Sequence, residues 1–283
     1  MVLGDPIGLE NDIAPSISAF IGFCTRNGWQ PCFYQVQPDY LKIYKAFGFK
    51  AMSIGQEAIV DLASITLEGS AGKEFRNVVK HMTRLEHRVE IYEPPLCDAL
   101  LVELRTISDE WLMQKRGSEF RFSIGWFDES YIRNSTVAVV YTPEGCISAF
   151  TNIVSRYQRN EAALDLMRRR CRTENGTMDF LLISIFDWAK QKGFTTFSLG
   201  FSPLSGIGRN PDDPKTERTL RYLYETLSRF YNLTGLHIFK DKFRPRWESR
   251  YMIYPGTAYL PSIALALARA HGGDNFVWRY LKH

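Results

Sequence analysis

Residues 177–192 (TMDFLLISIFDWAKQK) are apolar almost all the way round a helix, and Gly193 stops them. A helix of that kind is buried, so the chain must fold as layers around a core rather than as an open array of amphipathic pieces. The surrounding sequence supplies strands. Residues 136–142 and 146–154 are β-rich runs joined by Pro143-Glu144-Gly145, a hairpin signal in which proline presets φ and glycine permits a positive one. Residues 194–201 read as a further strand. At 283 residues the chain can bury such a core without disulfide or metal staples, and 45% hydrophobic against 23% charged residues excludes disorder.

The rest of the chain mixes both element types. Residues 14–27 have helical spacing ahead of Gly28, 32–36 form a short buried strand, and Pro38 opens an amphipathic helix closed by Gly48. Two strands are expected at 50–54 and 57–65, then a long helix over 71–89, because no breaker interrupts it. A strand ending at Pro94-Pro95 precedes a helix through Leu100, Leu104, Ile107 and Trp111. Beyond residue 200 a polar loop leads to Asp213-Pro214, which opens a helix carrying Leu220, Leu223, Leu227 and Phe230 inward. Strands over 235–243 and 250–254 and a terminal helix from about Leu260 complete the reading. The order helix, strand, helix, strand, strand thus occurs before residue 65 and again after 175, an echo of topology without a repeat of sequence.

No apolar run reaches the ~18 to 20 residues of a spanning helix; residues 260–268 are too few and end at Arg269. The first six residues lack the basic and apolar regions of a secretory signal, and five scattered cysteines (24, 32, 97, 146, 171) form no C-x-x-C pair. Neither a zinc site nor a disulfide framework is expected, and a reducing cytosolic face fits.

The net charge is only +4, but it is concentrated: residues 155–172 hold six arginines against Glu161 and Asp165. On the 71–89 helix, Lys73, Arg76, Lys80, Arg84 and Arg88 fall on one stripe able to track phosphates, or simply to face water. Were residues 165–168 helical, Asp165 and Arg168 would share a face, as catalytic groups or as a surface ion pair. Asp179 sits at the positive end of the buried helix, where capping alone would also explain it. Residues 240–251 interleave cations with Phe243, Trp247 and Tyr251, which suits a phosphate surface or a protected edge strand. The phosphate-loop, dinucleotide, nucleophile-elbow and zinc-protease motifs are all missing, so those chemistries are not expected.

Taken in order, Gly4-Asp-Pro-Ile-Gly8, Ile107-Ser-Asp-Glu-Trp-Leu112, Phe122-Ser-Ile-Gly-Trp-Phe-Asp128, Asp165-Leu-Met-Arg168, Gly176-Thr-Met-Asp-Phe180, Leu199-Gly-Phe-Ser-Pro-Leu-Ser205 and Lys242-Phe-Arg-Pro-Arg-Trp-Glu-Ser-Arg-Tyr251 resemble the soluble catalytic domain of bacterial phosphatidylglycerol lysyltransferases. The resemblance runs from Gly4 to about Pro255. It implies an α/β (α+β) fold of tandem GNAT-like acyltransferase units: a first unit over 1–70, a basic linker helix over 71–89, and a second unit over 90–283 carrying the active site. Only Met1-Val-Leu precedes Gly4 where the family has strands, so the first unit is expected to be incomplete. The family's membrane-spanning flippase region is expected to be absent from this chain.

The implied reaction moves an aminoacyl group, most readily lysyl, from aminoacyl-tRNA to phosphatidylglycerol on the cytoplasmic face of the membrane. It exchanges one ester for another and calls for no metal or cofactor. Carried over onto this sequence, Asp165 and Arg168 are the catalytic candidates. Glu217, Lys240, Lys242, Glu248 and Arg250, with Asp179 and Ser205, are the substrate-binding ones, and Lys73, Arg76, Lys80, Arg84 and Arg88 are set against tRNA phosphates. GNAT enzymes hold the coenzyme A pyrophosphate on a glycine-rich turn before the central helix. Here that turn reads Arg170-Cys-Arg-Thr-Glu-Asn-Gly176, with one glycine. A coenzyme A-dependent N-acyltransferase and a non-catalytic module binding RNA or anionic lipid are the alternatives.

Overall fold

The computed structural model describes residues 1–115, 119, 122–123, 125–156, 159–206 and 233–272. The chain partitions into two compact units, one made of residues 1–58 together with the chain from 201 onward, the other of residues 59–200. These boundaries lie elsewhere than at 70 and 90, because the C-terminal strand pairs with the N-terminal part of the chain.

In the second unit the strand order is β8-β7-β6-β5-β4. Here β4 is Arg88–Tyr92, β5 Thr136–Tyr141, β6 Ile147–Ser155, β7 Glu161–Arg169 and β8 Thr196–Pro203, the last running on into the first unit. From β4 to β7 the neighbours are antiparallel. β7 and β8 are parallel, with Glu161 beside Thr196, and the connection between them is the helix α6, Thr177–Gln191. A parallel pair needs such a crossover, which explains where the apolar helix goes. Nearly every position of β5 and β6 is buried, because helices cover both faces. Val137, Val139, Phe150 and Leu166 pack with Leu100, Leu101, Leu104 and Ile107 of α4 (Asp98–Lys115), while α6 packs against β4, β5 and β6. The short helix α5, Glu129–Arg133, is capped by Asp128, whose carboxylate accepts from the Tyr131 N–H.

In the first unit the strand order is β1-β2-β9-β3. β1 is Val2–Leu3, β2 Phe33–Val36, β9 Arg246–Tyr254, and β3 is Lys50–Asp61, which ends in the second unit. β1 lies parallel to β2, and β9 antiparallel to it. The helices α1 (Glu10–Arg26) and α2 (Leu41–Ala46) supply Ile13, Ile17 and Tyr44 to a core with Phe33, Val36, Phe49 and Ile253. Helices α7 (Leu233–Asp241) and α8 (Leu260–Gly272) complete the described part.

The mixed α/β class is as the sequence indicates; several elements differ. The strands expected at 50–54 and 57–65 are one strand, β3. Gly55 reads as a break, yet its role is close approach: with φ +145, any Cβ there would collide with the backbone of Ser202 and Leu204. The helix expected over 71–89 is α3, Lys73–Arg84. It ends because Glu86 takes a positive φ, letting the Glu86 and His87 N–H groups bond back to Thr83 and Met82, and the chain continues as β4. α3 lies wholly within the second unit. Residues 233–241 are helical where a strand is expected, and the arginine-rich segment is strand β7 rather than a loop or helix. The expected echo of the first topology after residue 175 is therefore partial. The helix expected after Asp213-Pro214 lies outside the described residues.

Candidate active site

Strand β7 would place residues 165 and 168 on opposite faces, since side chains alternate along a strand. A register shift prevents this. Thr151 pairs with Met167 and Ile153 with Leu164, so Asn152 faces two residues, Asp165 and Leu166. The bulge is held from β6: the Oδ1 of buried Asn152 accepts the Leu166 N–H at 2.8 Å. Asp165 and Arg168 are thereby turned to one side of the strand, though not by the helical spacing that the sequence suggests.

Each group is then fixed by its own partners. One oxygen of Asp165 accepts the Gly125 N–H at 2.8 Å and the other the Tyr131 hydroxyl at 2.6 Å. A Cβ at Gly125 would run into that carboxylate, so only glycine lets the backbone approach it. Burial pushes the Tyr131 phenol well above its ordinary pKa, and the bond to Asp165 pushes the same way, so Tyr131 remains a donor. Arg168 is buried, with its guanidinium 4.0 Å from the centre of the Trp111 ring and Nη2 donating to Glu119 at 2.7 Å. Burial lowers its pKa; Glu119 and then Asp165 oppose that fall. Among the described residues its Nε has no hydrogen-bond partner. A buried donor without a partner costs free energy on the order of 1–3 kcal/mol unless something else receives it. The second unit thus sets a carboxylate beside an incompletely used guanidinium, suited to an ammonium on one side and an oxyanion or phosphate on the other.

The other candidates in the second unit are arranged differently. Asp179 lies in the first turn of α6. Lys73, Lys80 and Arg84 are exposed on α3, whereas Arg76 donates to the carbonyls of Leu67 and Gly69. Arg88 leaves the stripe: on β4 it pairs with Glu90 and lies 4.5 Å from the Tyr141 ring centre. In the turn before α6, the Glu110 carboxylate accepts from the Cys171 N–H and from Arg170.

Lys240, Lys242, Glu248, Arg250 and Ser205 belong to the first unit. Arg250 is buried against Glu57, its Nε at 2.8 Å and its Nη2 also bonded, and it shares Glu248. Lys240 is buried too, donating to the Phe201 carbonyl at 3.1 Å. Burial takes its pKa down to about 7 against the pull of Glu57. The Ser205 hydroxyl closes on the Ser202 carbonyl at 3.0 Å, and Lys242 is exposed with Nζ 5.2 Å from the Phe239 ring centre. Glu217 lies outside the described residues.

Sequence reasoning missed Tyr131, Asn152, Glu119 and the role of Gly125 and Trp111 in the second unit, and Glu57 in the first. None lies within ten residues of its partner, so spacing carried no trace of them; Gly125 and Trp111 stand inside motifs that carry the family resemblance, which was the available signal. Among the described residues no group of His, Cys, Asp and Glu is placed to hold a metal ion.

The sequence matches the family described as phosphatidylglycerol lysyltransferase, C-terminal, over residues 1–254. A phosphatidylglycerol lysyltransferase of Bacillus subtilis (strain 168) is 36% identical over 254 residues, covering 90% of this chain and 29% of that protein. The chain therefore spans less than a third of that relative's length. Among solved structures, L-PGS from Bacillus licheniformis superposes with a TM-score of 0.82 at 34% identity, covering 95% of this chain and 82% of that one. The C-terminal domain of a protein described as a lysylphosphatidylglycerol synthetase of Agrobacterium fabrum gives 0.84 at 32% identity, covering 96% and 82%.

Proposed function

The chain belongs to the family of phosphatidylglycerol lysyltransferase C-terminal regions, and on that premise we propose that it transfers an aminoacyl group, lysyl foremost, from aminoacyl-tRNA to phosphatidylglycerol. The observation that carries the reading is the bulge of β7, which turns Asp165 and Arg168 to one side and leaves each with bonding capacity unspent. The hydroxyl oxygen of the lipid glycerol attacks the aminoacyl carbonyl carbon; the bond to the ribose oxygen breaks, and the hydroxyl proton ends on that oxygen. One ester replaces another, so the demands are alignment and charge stabilisation. Asp165, held by Gly125 and Tyr131, receives the aminoacyl ammonium. Arg168, held by Glu119 and Trp111, offers its open N–H to the oxyanion or a neighbouring phosphate. Tyr131 orients the carboxylate and does not serve as base, because its proton is held too tightly.

The exposed cations of α3 suit the tRNA backbone, and the buried charges of the first unit suit substrate binding, with the cytoplasmic face of a membrane as the place of reaction. A coenzyme A donor is disfavoured by Glu110, whose carboxylate takes the Cys171 N–H and Arg170 that a pyrophosphate would need. The test is incubation with phosphatidylglycerol and, separately, lysyl-tRNA, alanyl-tRNA or acetyl-coenzyme A, followed by mass analysis of the lipid. Lysyl-phosphatidylglycerol is expected, with turnover falling by about a hundredfold or more in Asp165→Asn and Arg168→Lys. Product from acetyl-coenzyme A alone would refute the reading.

A further inference from the structure

One end of the first unit exposes three large aromatic side chains that packing does not require. Trp29 is 57% exposed, Phe23 45% and Phe47 40%. They come to the same end by topology. α1 leads directly into β2, so its last turn lies near Phe33, where β2 starts; α2 follows β2 and runs back, and Tyr44 and Phe49 both meet the Phe33 ring, at 4.8 and 6.0 Å. Phe33 also meets Phe20 of α1 at 5.8 Å. A chain of rings runs outward from the core: Phe33, Phe20, Phe23, Trp29, the last two edge to face at 5.7 Å.

Trp29 is held there rather than left loose. Gly28 takes a left-handed φ of 69°, the Trp29 N–H bonds to the Cys24 carbonyl at 2.9 Å, and the Asn27 side chain bonds to the Phe23 carbonyl at 2.8 Å. The stretch of chain that carries these aromatics is predominantly basic. From residue 13 to residue 56 the only acid is Asp39, against Arg26, Lys42, Lys45 and Lys50. Asp39 stands at the start of the segment leading into α2, the opposite end; Arg26, Lys45 and Lys50 are exposed and stand within three residues of Phe23, Trp29 or Phe47 along the chain. The far end of α1 makes the contrast: Ile7 and Leu9 are exposed there too, but among Asp5, Glu10 and Asp12.

We propose that the end carrying Phe23, Trp29 and Phe47, ringed by Arg26, Lys45 and Lys50, docks onto the surface of an anionic lipid bilayer. Tryptophan and phenylalanine settle at the headgroup level, where an apolar body meets a wet edge, and cations gain from an anionic surface within a Debye length. Neither feature alone selects a membrane; their coincidence at one end of the unit does, since binding needs both apolar insertion and charge. The inference deepens the proposed function and rests on its lipid acceptor for the reason a membrane is present.

The experiment is cosedimentation of the full 283-residue chain with vesicles of phosphatidylglycerol and phosphatidylcholine, or of phosphatidylcholine alone. Wild-type protein is expected to pellet with the anionic vesicles only. Phe23→Ser/Trp29→Ser/Phe47→Ser and, separately, Arg26→Glu/Lys45→Glu/Lys50→Glu are each expected to bind at least about tenfold more weakly. Both variants should retain the circular dichroism of the wild type and its transfer activity on detergent-dispersed phosphatidylglycerol. Equal binding by the variants, equal binding to neutral vesicles, or no binding by the wild type would overturn the proposal. If the variants lose vesicle binding while even wild-type protein lacks transfer activity in detergent, the docking surface stands and the proposed reaction falls.

Discussion

Asp5 accepts from the Gln37 N–H and the Tyr44 hydroxyl, and its carboxyl is nevertheless pushed up to about 6, because burial outweighs both donors and the pull of Arg250. Unfolded, the same group titrates near 3.8. Between those values the folded chain holds a proton that the unfolded chain has lost. The contribution of Asp5 is therefore intact below the unfolded value and declines as pH rises through the window, by at most about 3 kcal/mol. Asp5→Asn should flatten the decline, since an amide still accepts from Gln37 and can donate to Tyr44. Urea unfolding of both proteins between pH 4 and 7 measures it, and a wild-type stability that climbed over this range through Asp5 would contradict the assignment.

Among the elements, β7 shows how pairing outweighs local pattern. Its residues Glu161–Arg169 mix acids, arginines and alanines, with none of the alternation that marks a half-buried strand. It is a strand because β6 and β8 flank it and because Tyr131, Gly125, Glu119 and Trp111 receive its charged side chains. Elements with their own punctuation were legible: α6 before Gly193, and the β5–β6 hairpin, where Thr142 and Cys146 bond across Gly145. The end of α3 was not legible, because its stop is a glutamate in a glycine-like conformation. The bulge of β7 yields a prediction at this scale. Asn152→Ala strands the buried Leu166 N–H, so the second unit should lose about 1–3 kcal/mol of stability. KM for the aminoacyl donor should rise, because the carboxylate that receives the aminoacyl ammonium is misaimed rather than removed, whereas lost stability with unchanged kinetics would point to a merely structural role for Asn152.

Over the whole molecule the charge excess is small and its placement matters more than its size. Three of the six arginines in the arginine-rich segment are consumed internally: Arg156 by Glu161, Arg168 by Glu119 and Arg170 by Glu110 and Glu103. Lys73, Lys80 and Arg84 on α3 stay exposed, so they fit the tRNA-binding role proposed above. Reversing these three to glutamate should weaken tRNA binding and lower the slope of log affinity against log salt by roughly 0.7 to 0.9 for each phosphate no longer neutralised. Titrations over a range of salt measure this, and an unchanged slope would remove α3 from the tRNA surface.

Hydrophobic patterning and turn chemistry act over a few residues, so the sequence by itself determined the mixed α/β class, the buried helix and its flanking strands. Its ordered motifs determined the kinship, and with it named Asp165 and Arg168 as the candidates. Three-dimensional pairing alone decided that the C-terminal segment joins the first 58 residues in one unit, since β2 finds β9 more than 200 residues away. It alone decided that a single extra residue opposite Asn152 turns Asp165 toward the side of Arg168. Such pairings depend on which strands become neighbours, and that follows from the free energy of the assembled core rather than from any short stretch of chain.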